Sequence, residues 1–378
     1  MDLDNLKSYS TIDKENMLHI ILRFPEALKE AYEKFTDIEF PKDIRIGKVS
    51  ISYSYPSNVV ICGMGGSAIG GDILKYWLMN EVPLHIDVIR DYVLPSYVNE
   101  STLVLVVSYS GNTEEALSCL NHALKKKSMV VTITSNGLLK RYSSMFGLPT
   151  FILPQGLPPR TALPYLFTAM AMALERSGIN LHLSSNIDET FKVLSNLRDE
   201  INPEVPMEKN RAKQLAMKIN GLFPIIHAYL AYYPAAFRFK TQLNENSKYP
   251  AECEALPEMN HNGIMGWEAH DIVHNLIAIF LIGGDEPKEI SVRIEATSKI
   301  ISDSGAEVIK ITSTGIHRLS RLLSLVYLGD FTSYYLAIAR GVDPTPVSSI
   351  SRLKETLDVK LATKKRLEDA FKELLYAK

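Results

Sequence analysis

Short apolar runs recur along the chain with helix-like segments between them: NVVICGMG, LHIDVI, TLVLVVSYS, SMVVTITS and TFILP over residues 58–154. Each is apolar throughout instead of alternating, so both faces of the strand must be covered, the signature of a parallel sheet between helices. A second set, GLFPIIHAY, NLIAIFLIGG and AEVIKITS, follows a polar helical connector near residues 183–220. Laying LVLVVSYSGNTEEAL over LIAIFLIGGDEPKEI also brings MVVTITS over EVIKITS at a similar offset, as a tandem repeat of one α/β unit would. The expected fold is therefore α/β, with two parallel sheets, each flanked by helices in a flavodoxin-like three-layer sandwich. Expected boundaries are a helical lead-in over 1–45, a first domain over 46–180, a helical connector over 181–215, a second domain over 216–355 and a C-terminal helix over 356–378.

Composition limits what such a chain does. With 378 residues, 46% of them hydrophobic, it can fill a core in each domain. A net charge of -2 with the signs well mixed excludes a basic surface built for nucleic acid and an acidic disordered tail. The N-terminus lacks the basic start and apolar core of a signal peptide. Runs such as TALPYLFTAMAMAL and NLIAIFLIG fall short of the roughly 18 residues of a membrane span, so a cytoplasmic protein is expected. Cys62, Cys119 and Cys253 are spaced for neither a disulfide framework nor a zinc knuckle and read as small core residues.

Two loops raise the question of a phosphate. GMGGSAIGGD, from Gly63 to Asp72, follows the strand NVVIC and contains G-x-G-x-x-A, the spelling of a dinucleotide fingerprint, with Asp87 or Asp91 as the supporting acid. A dinucleotide fold has no use for a second hydroxyl-rich loop, yet SYSGNTEE sets Ser108, Ser110 and Thr113 around a glycine where a strand gives way to a helix. Hydroxyls together with exposed helix amides hold a phosphomonoester, because amide donors and helix dipole both favour an anion. The plainer reading is a helix N-cap at Thr113 with glutamates in the first turn. The second copy reads LIGGDEPKE at this point, without hydroxyls, so a single anion site is expected.

Three further stretches carry candidate chemistry. HDIVH, from His270 to His274, imitates a zinc-binding helix, but with a shortened acid and no third ligand it reads as helix-surface or core histidines. NENSKYPAECEALPEMNHNGIMGW gathers Glu245, Lys248, Glu252, Glu258 and His261 between apolar flanks. A carboxylate and a histidine there would suit ring opening and proton transfer, and a solvated charged segment is the alternative. In PQGLPPRTALPYL the prolines fix a loop and then start a helix, and Arg160 is either a cation facing a developing oxyanion or a surface arginine.

Taken together, GMGGSAIGGD, SYSGNTEE, PQGLPPRTALPYL, NENSKYPAE, PEMNHNGIMGW and ARGVDPTPVSSISRLK resemble the bifunctional phosphoglucose/phosphomannose isomerases described from archaea, members of the sugar isomerase (SIS) domain superfamily. SYSGNTEE alone marks the wider superfamily, while the other segments in this order are specific to the isomerases. The resemblance implies two SIS domains in one chain and the reversible conversion of glucose 6-phosphate and mannose 6-phosphate to fructose 6-phosphate. It implies a phosphate held by Ser108, Ser110 and Thr113, with Gly65, Gly66 and Ser67 closing against the sugar. Glu245 would be the base that carries a proton between C2 and C1, His261 and Lys354 the ring-opening pair, and Arg160 the cation that stabilises a cis-enediolate. It further implies a homodimer in which His261 comes from the neighbouring subunit, no cofactor and no metal, and a threonine, for which Thr345 is the candidate, that admits the mannose epimer.

Departures from the family lie at the ends, before residue 45 and after 360, and bear on dimer geometry instead of chemistry. Two other readings share the phosphate loop. A sugar-phosphate sensor would bind without turnover, and sensors of this kind carry a basic recognition helix that residues 1–45 do not spell. An amino-sugar synthase of the same superfamily would place a glutaminase domain with an N-terminal cysteine ahead of the pair, where this chain has Asp2.

Overall fold

A computed structural model describes residues 2–376 and divides the chain into two compact units. One joins Glu26–Ile187 with the segment from Val347 onward; the other joins the N-terminal segment up to Pro25 with Asp188–Pro346.

The first unit opens with the helix Phe24–Phe35, which belongs to it from Glu26 onward and leads into an antiparallel hairpin, β1 (Asp43–Ile46) and β2 (Val49–Ser52). Its main sheet contains β3 (Asn58–Cys62), β4 (His85–Ile89), β5 (Thr102–Ser108), β6 (Met129–Thr134) and β7 (Thr150–Ile152), all parallel in the order β4-β3-β5-β6-β7. The central strands β5 and β6 are buried at every residue, as their unbroken apolar runs require. Helices Gly66–Leu78 and Leu163–Arg176 pack together, with Trp77 6.0 Å from Phe167. Another apolar cluster takes in Leu117 and Leu120 of Glu114–Lys125, Leu139 of Gly137–Phe146 and Leu367 of Thr363–Tyr376. Phe371 of the last helix lies 4.8 Å from Tyr142, which ties the C-terminal segment into this unit.

The second unit holds β8 (Phe223–Tyr229), β9 (Glu252–Leu256), β10 (Leu276–Ile282) and β11 (Glu307–Thr312), parallel in the order β11-β10-β8-β9. This is the order β6-β5-β3-β4 of the first sheet without a counterpart of β7, so the tandem repeat read from the sequence is present in the fold. The edge strand β9, whose sequence is ECEAL, escapes sequence reasoning because acidic residues and alanine are poor strand formers and only tertiary pairing with β8 extends them.

The helix Arg318–Ala339 is long and apolar enough to cross a membrane by length and composition, a stretch that the inspection of shorter apolar runs passes over. All of its residues but Arg318 and Arg321 are buried inside the unit, so its all-round apolar surface serves a core. Its Asp330 is bound by Arg238 of the helix Tyr233–Ser247 through two hydrogen bonds, Nε to Oδ1 at 3.0 Å and Nη2 to Oδ2 at 2.8 Å. That pair fixes the rotation of Tyr233–Ser247, since removing one partner of a buried pair costs about 3–5 kcal/mol.

Two smaller expectations change. Cys62 and Cys119 are core residues as read, but Cys253 is only partly buried because it sits on the sheet edge. His270 and His274 share no helix face: they fall on a turn and on the 3-10 turn Val273–Asn275, and both are exposed.

Candidate active site

Three loops meet at the carboxyl edge of the five-stranded sheet. The loop after β3 runs into the helix Gly66–Leu78, the loop after β5 into Glu114–Lys125, and the proline-rich loop after β7 into a 3-10 turn, Pro159–Ala162, and then Leu163–Arg176. Carboxyl ends of parallel strands are where such sheets bind ligands, because helix N-termini converge there.

Hydroxyls knit the second loop and link it to the first. Ser108 Oγ and Thr113 Oγ1 are 2.8 Å apart, and Ser108 Oγ also accepts from Gly111 N at 3.1 Å. Ser110 Oγ accepts from Asn112 N at 3.3 Å, and the buried Ser67 Oγ, at the start of the helix that follows the first loop, accepts from Tyr109 N at 3.3 Å. Thr113 occupies the N-cap position of its helix, but its side chain makes no capping bond; its hydroxyl turns to Ser108. Glu114 and Glu115 stand in the helix's first turn. The N-cap reading is thus half correct, in position but not in bonding.

Tyr109 joins the third loop. Its hydroxyl donates to Pro154 O at 2.8 Å and accepts from Leu157 N at 2.9 Å. Burial raises the pKa of this phenol, so it stays a neutral donor and acceptor. Sequence reasoning passed over Tyr109, and an aromatic with a polar tip between two serines was the available signal.

Gly66 explains how close the loops come. A methyl group on its α-carbon would meet Pro159 O at 2.8 Å and Arg160 Cα at 3.0 Å. Arg160 therefore starts beside the glycine loop, and it is buried, with 3% of its surface exposed, which rules out the surface-arginine alternative. The structure brings together Gly65, Gly66, Ser67, Ser108, Ser110, Thr113 and Arg160 around one sheet edge.

The acid that a dinucleotide would need is otherwise engaged. Asp87 accepts from Tyr97 Oη at 2.7 Å and pairs with Lys75 at 3.5 Å, and Asp91 accepts from the amide of Tyr92 at 2.6 Å.

The other candidates stand on separate elements. Glu245, half-buried, lies in the last turn of the helix Tyr233–Ser247. Asn246 Nδ2 donates to Ser333 Oγ at 3.0 Å and Ser247 Oγ donates to Ser333 O at 2.6 Å, so the helix end beside Glu245 is pinned to Arg318–Ala339. Thr345 is buried just past the latter helix, with its amide on Asp343 Oδ1 at 3.0 Å. His261 closes the 3-10 turn Glu258–His261 and is exposed. The turn is held by its neighbours: Asn260 Nδ2 donates to Thr297 Oγ1 at 2.7 Å and Asn262 Nδ2 to Glu258 Oε1 at 2.6 Å. Lys354 belongs to the unit of the hydroxyl loop, on the helix Ser348–Leu361, which has no buried residue.

Comparisons with known proteins bear on the family and the fold. Residues 208–357 match the family described as bacterial phospho-glucose isomerase C-terminal SIS domain, and residues 53–143 match the SIS domain family. The chain is 39% identical over 343 residues to a bifunctional phosphoglucose/phosphomannose isomerase of Caldicellulosiruptor bescii, covering 90% of this chain and 98% of the relative. It is 34% identical to the protein of the same description from Aquifex aeolicus, covering 79% of this chain and 90% of the relative. A solved structure described as a glucose-6-phosphate isomerase like protein from Thermus thermophilus superposes with a TM-score of 0.58 at 18% identity, over 93% of this chain and 99% of that one, a likeness of fold.

Proposed function

The chain belongs to the bifunctional phosphoglucose/phosphomannose isomerases, and we propose from that premise a role for each of its candidate residues. It is an aldose–ketose isomerase that converts glucose 6-phosphate and mannose 6-phosphate to fructose 6-phosphate and back. The observation that carries the residue assignment is the hydroxyl loop at the sheet edge with Arg160 buried beside Gly66.

Ser108, Ser110 and Thr113 hold the phosphate with the amides at the start of Glu114–Lys125, where the helix dipole favours the dianion. Gly65, Gly66 and Ser67 line the sugar, because residues without bulk let the ligand approach the backbone. His261 and Lys354 move protons between the ring oxygen and the C1 hydroxyl to open the hexose. Glu245 then takes the proton from C2 and returns it to C1 through a cis-enediolate, and Arg160 offsets the negative charge that develops on the oxygens. Glucose and mannose 6-phosphates differ only at C2, which is planar in the enediolate, so both epimers reach one intermediate. Thr345 is the residue assigned to tolerance of the mannose epimer. The chemistry needs proton shuttles and a fixed cation, and neither metal nor cofactor has a step in it.

Incubation with each hexose phosphate in the presence of a chelator should yield fructose 6-phosphate; absence of product from both would sink the reading. Glu245→Gln should abolish isomerisation and leave binding of a phosphate-bearing competitor intact.

The reading also makes the enzyme a homodimer in which His261 serves the neighbouring subunit's site. The exposure of His261 on a braced turn supports this. Mixing inactive Glu245→Gln with inactive His261→Asn should then restore roughly a quarter of native activity, because half of the re-paired dimers are mixed and each mixed dimer has one intact site. A mixture that stays inactive after verified subunit exchange rules out the shared site.

A further inference from the structure

Lys248 follows the helix Tyr233–Ser247 directly and sits in the left-handed region, with φ 50° and ψ 42°, a conformation unusual for a residue other than glycine. The residue is exposed, and its ammonium lies within hydrogen-bond distance of four main-chain carbonyls. Nζ lies 2.8 Å from Glu245 O, 3.4 Å from Asn246 O, 2.9 Å from Asp343 O and 3.0 Å from Pro344 O. Two of these acceptors close the helix that carries Glu245, and the other two immediately precede Thr345.

A cation at a helix C-terminus is favoured by the dipole, which accounts for two of the four contacts. It does not account for the reach across to residues 343 and 344. Three N–H groups shared among four carbonyls tie two separate stretches of backbone to one point, which a compact ammonium can do and a planar guanidinium cannot.

The rest of the segment is anchored as well. Asn244 Nδ2 donates to Tyr249 O at 2.8 Å, and the Tyr249 hydroxyl donates to Leu222 O at 2.7 Å and accepts from Gly221 N at 2.9 Å. The neighbours of Glu245 along the chain thus hold its backbone in place, and Lys248 carries that hold across to the Asp343–Pro344 stretch.

We infer that Lys248 is a positioning residue for the isomerase reaction, fixing the backbone of Glu245 and the backbone ahead of Thr345 in one register and so setting both the rate of proton transfer and the balance between the two epimers. This rests on the assignment of Glu245 as base and of Thr345 as the residue that admits mannose 6-phosphate. Proton transfer between carbons is sensitive to the placement of the base, and a shift on the order of 1 Å costs up to about 100-fold.

The test compares Lys248→Met with Lys213→Met. Lys213 is a lysine of the same unit that likewise bonds carbonyls, Pro203 O at 2.8 Å and Val205 O at 2.9 Å, together with Asp4, but touches neither stretch. Lys248→Met should lose about 10- to 100-fold in kcat for fructose 6-phosphate formation, with KM moved less than about threefold and the ratio of glucose to mannose 6-phosphate turnover shifted by at least about threefold. Lys213→Met should lower Tm and leave that ratio at its native value. Native kcat and native ratio in Lys248→Met overturn the inference, as does an equal ratio shift in Lys213→Met, which would make the effect general destabilisation. If Lys248→Met does not fold, Lys248→Arg keeps the charge without the convergent geometry. It should shift the ratio in the same direction by a smaller factor, and a native ratio there is equally fatal. Glu245→Gln separates the two levels. If it remains active, the assignment of the base fails whatever Lys248 does; if it is inactive while Lys248→Met is native, only the Lys248 inference fails.

Discussion

The loops after β5 and β10 begin alike and end differently. Matching Gly111, with φ 70°, to Gly284, with φ 87°, puts Ser108 over Leu281, Ser110 over Gly283 and Thr113 over Glu286. In the first loop the hydroxyls of Ser108 and Thr113 face each other across 2.8 Å at the start of a helix. In the second the carboxylate of Glu286 turns back to accept from the amides of Gly283, through a short bond, and Gly284, at 2.8 Å. The basic groups nearby are balanced too: Asp285 accepts from Tyr232 Oη at 2.5 Å and pairs with Arg318 at 3.4 Å and Arg321 at 3.8 Å. On the proposed reading, the sheet edge takes its anion from the ligand in the first copy; in the second the chain supplies it. Amides in this geometry bind either kind of oxygen, a carboxylate's or a phosphate's.

The sharpest way to break the difference is to write the second loop into the first. Thr113→Glu should place a carboxylate against the amides assigned to the phosphate, and like-charge repulsion of several kcal/mol should weaken substrate by at least about 100-fold. Inhibition by inorganic phosphate or a hexitol 6-phosphate measures this directly. A variant that keeps native affinity would mean that the phosphate is held elsewhere.

How much of this was legible beforehand depends on the range of the interaction. Strands β3, β4, β5, β6 and β7, the repeat, and the hydroxyl loop could be read because each is encoded in consecutive residues. β9 could not, because ECEAL becomes a strand only through its register with β8, in which Cys253 lies opposite Ile226. Among site residues, Ser108, Ser110 and Thr113 follow from a local motif, whereas the burial of Arg160 depends on Gly66, nearly a hundred residues away in sequence, leaving room for its backbone. Glu286 was visible only as a missing hydroxyl. Its bonds to Gly283 and Gly284 are a matter of one side-chain rotamer, and no pattern of letters specifies that.

The two units should also differ toward acid. His227, in the middle of β8, is fully buried, stacked on Phe280 with ring centroids 4.9 Å apart, and its pKa is lowered to about 3 by burial. The Glu254 carboxylate 3.7 Å from Nδ1 would favour the charged ring, but burial and then Glu252 raise the pKa of Glu254 as well. A histidine neutral in the fold and titrating at its ordinary value when unfolded stabilises above about pH 6.5. That contribution is lost as pH falls toward about 3, by up to about 1.4 kcal/mol per pH unit in the window. The two tryptophans report the units separately, since Trp267 lies 5.9 Å from His227 and Trp77 packs on Phe167 in the other unit. In single-tryptophan variants, acid should unfold the Trp267 signal at higher pH than the Trp77 signal. His227→Leu should bring the two midpoints closer, and coincident midpoints in the parent would show that His227 does not set acid stability.

The smallest effect tests the comparison from its other side. Glu286→Ala removes the internal anion and leaves two amides at the end of β10 without their acceptor, which should cost about 1–3 kcal/mol of stability in the four-stranded unit. Catalysis has no stake in Glu286, so kcat should stay native while Tm falls. The variant loop then has the amides of the first loop but none of its hydroxyls. Inorganic phosphate should raise the Tm of Glu286→Ala more than that of the parent, and Thr113→Glu in the same chain should leave that extra increment in place. An increment that vanishes with Thr113→Glu would place all the phosphate binding on the first loop. Amides without hydroxyls would then be insufficient, and Ser108, Ser110 and Thr113, more than the shared turn, would make the first copy a phosphate site.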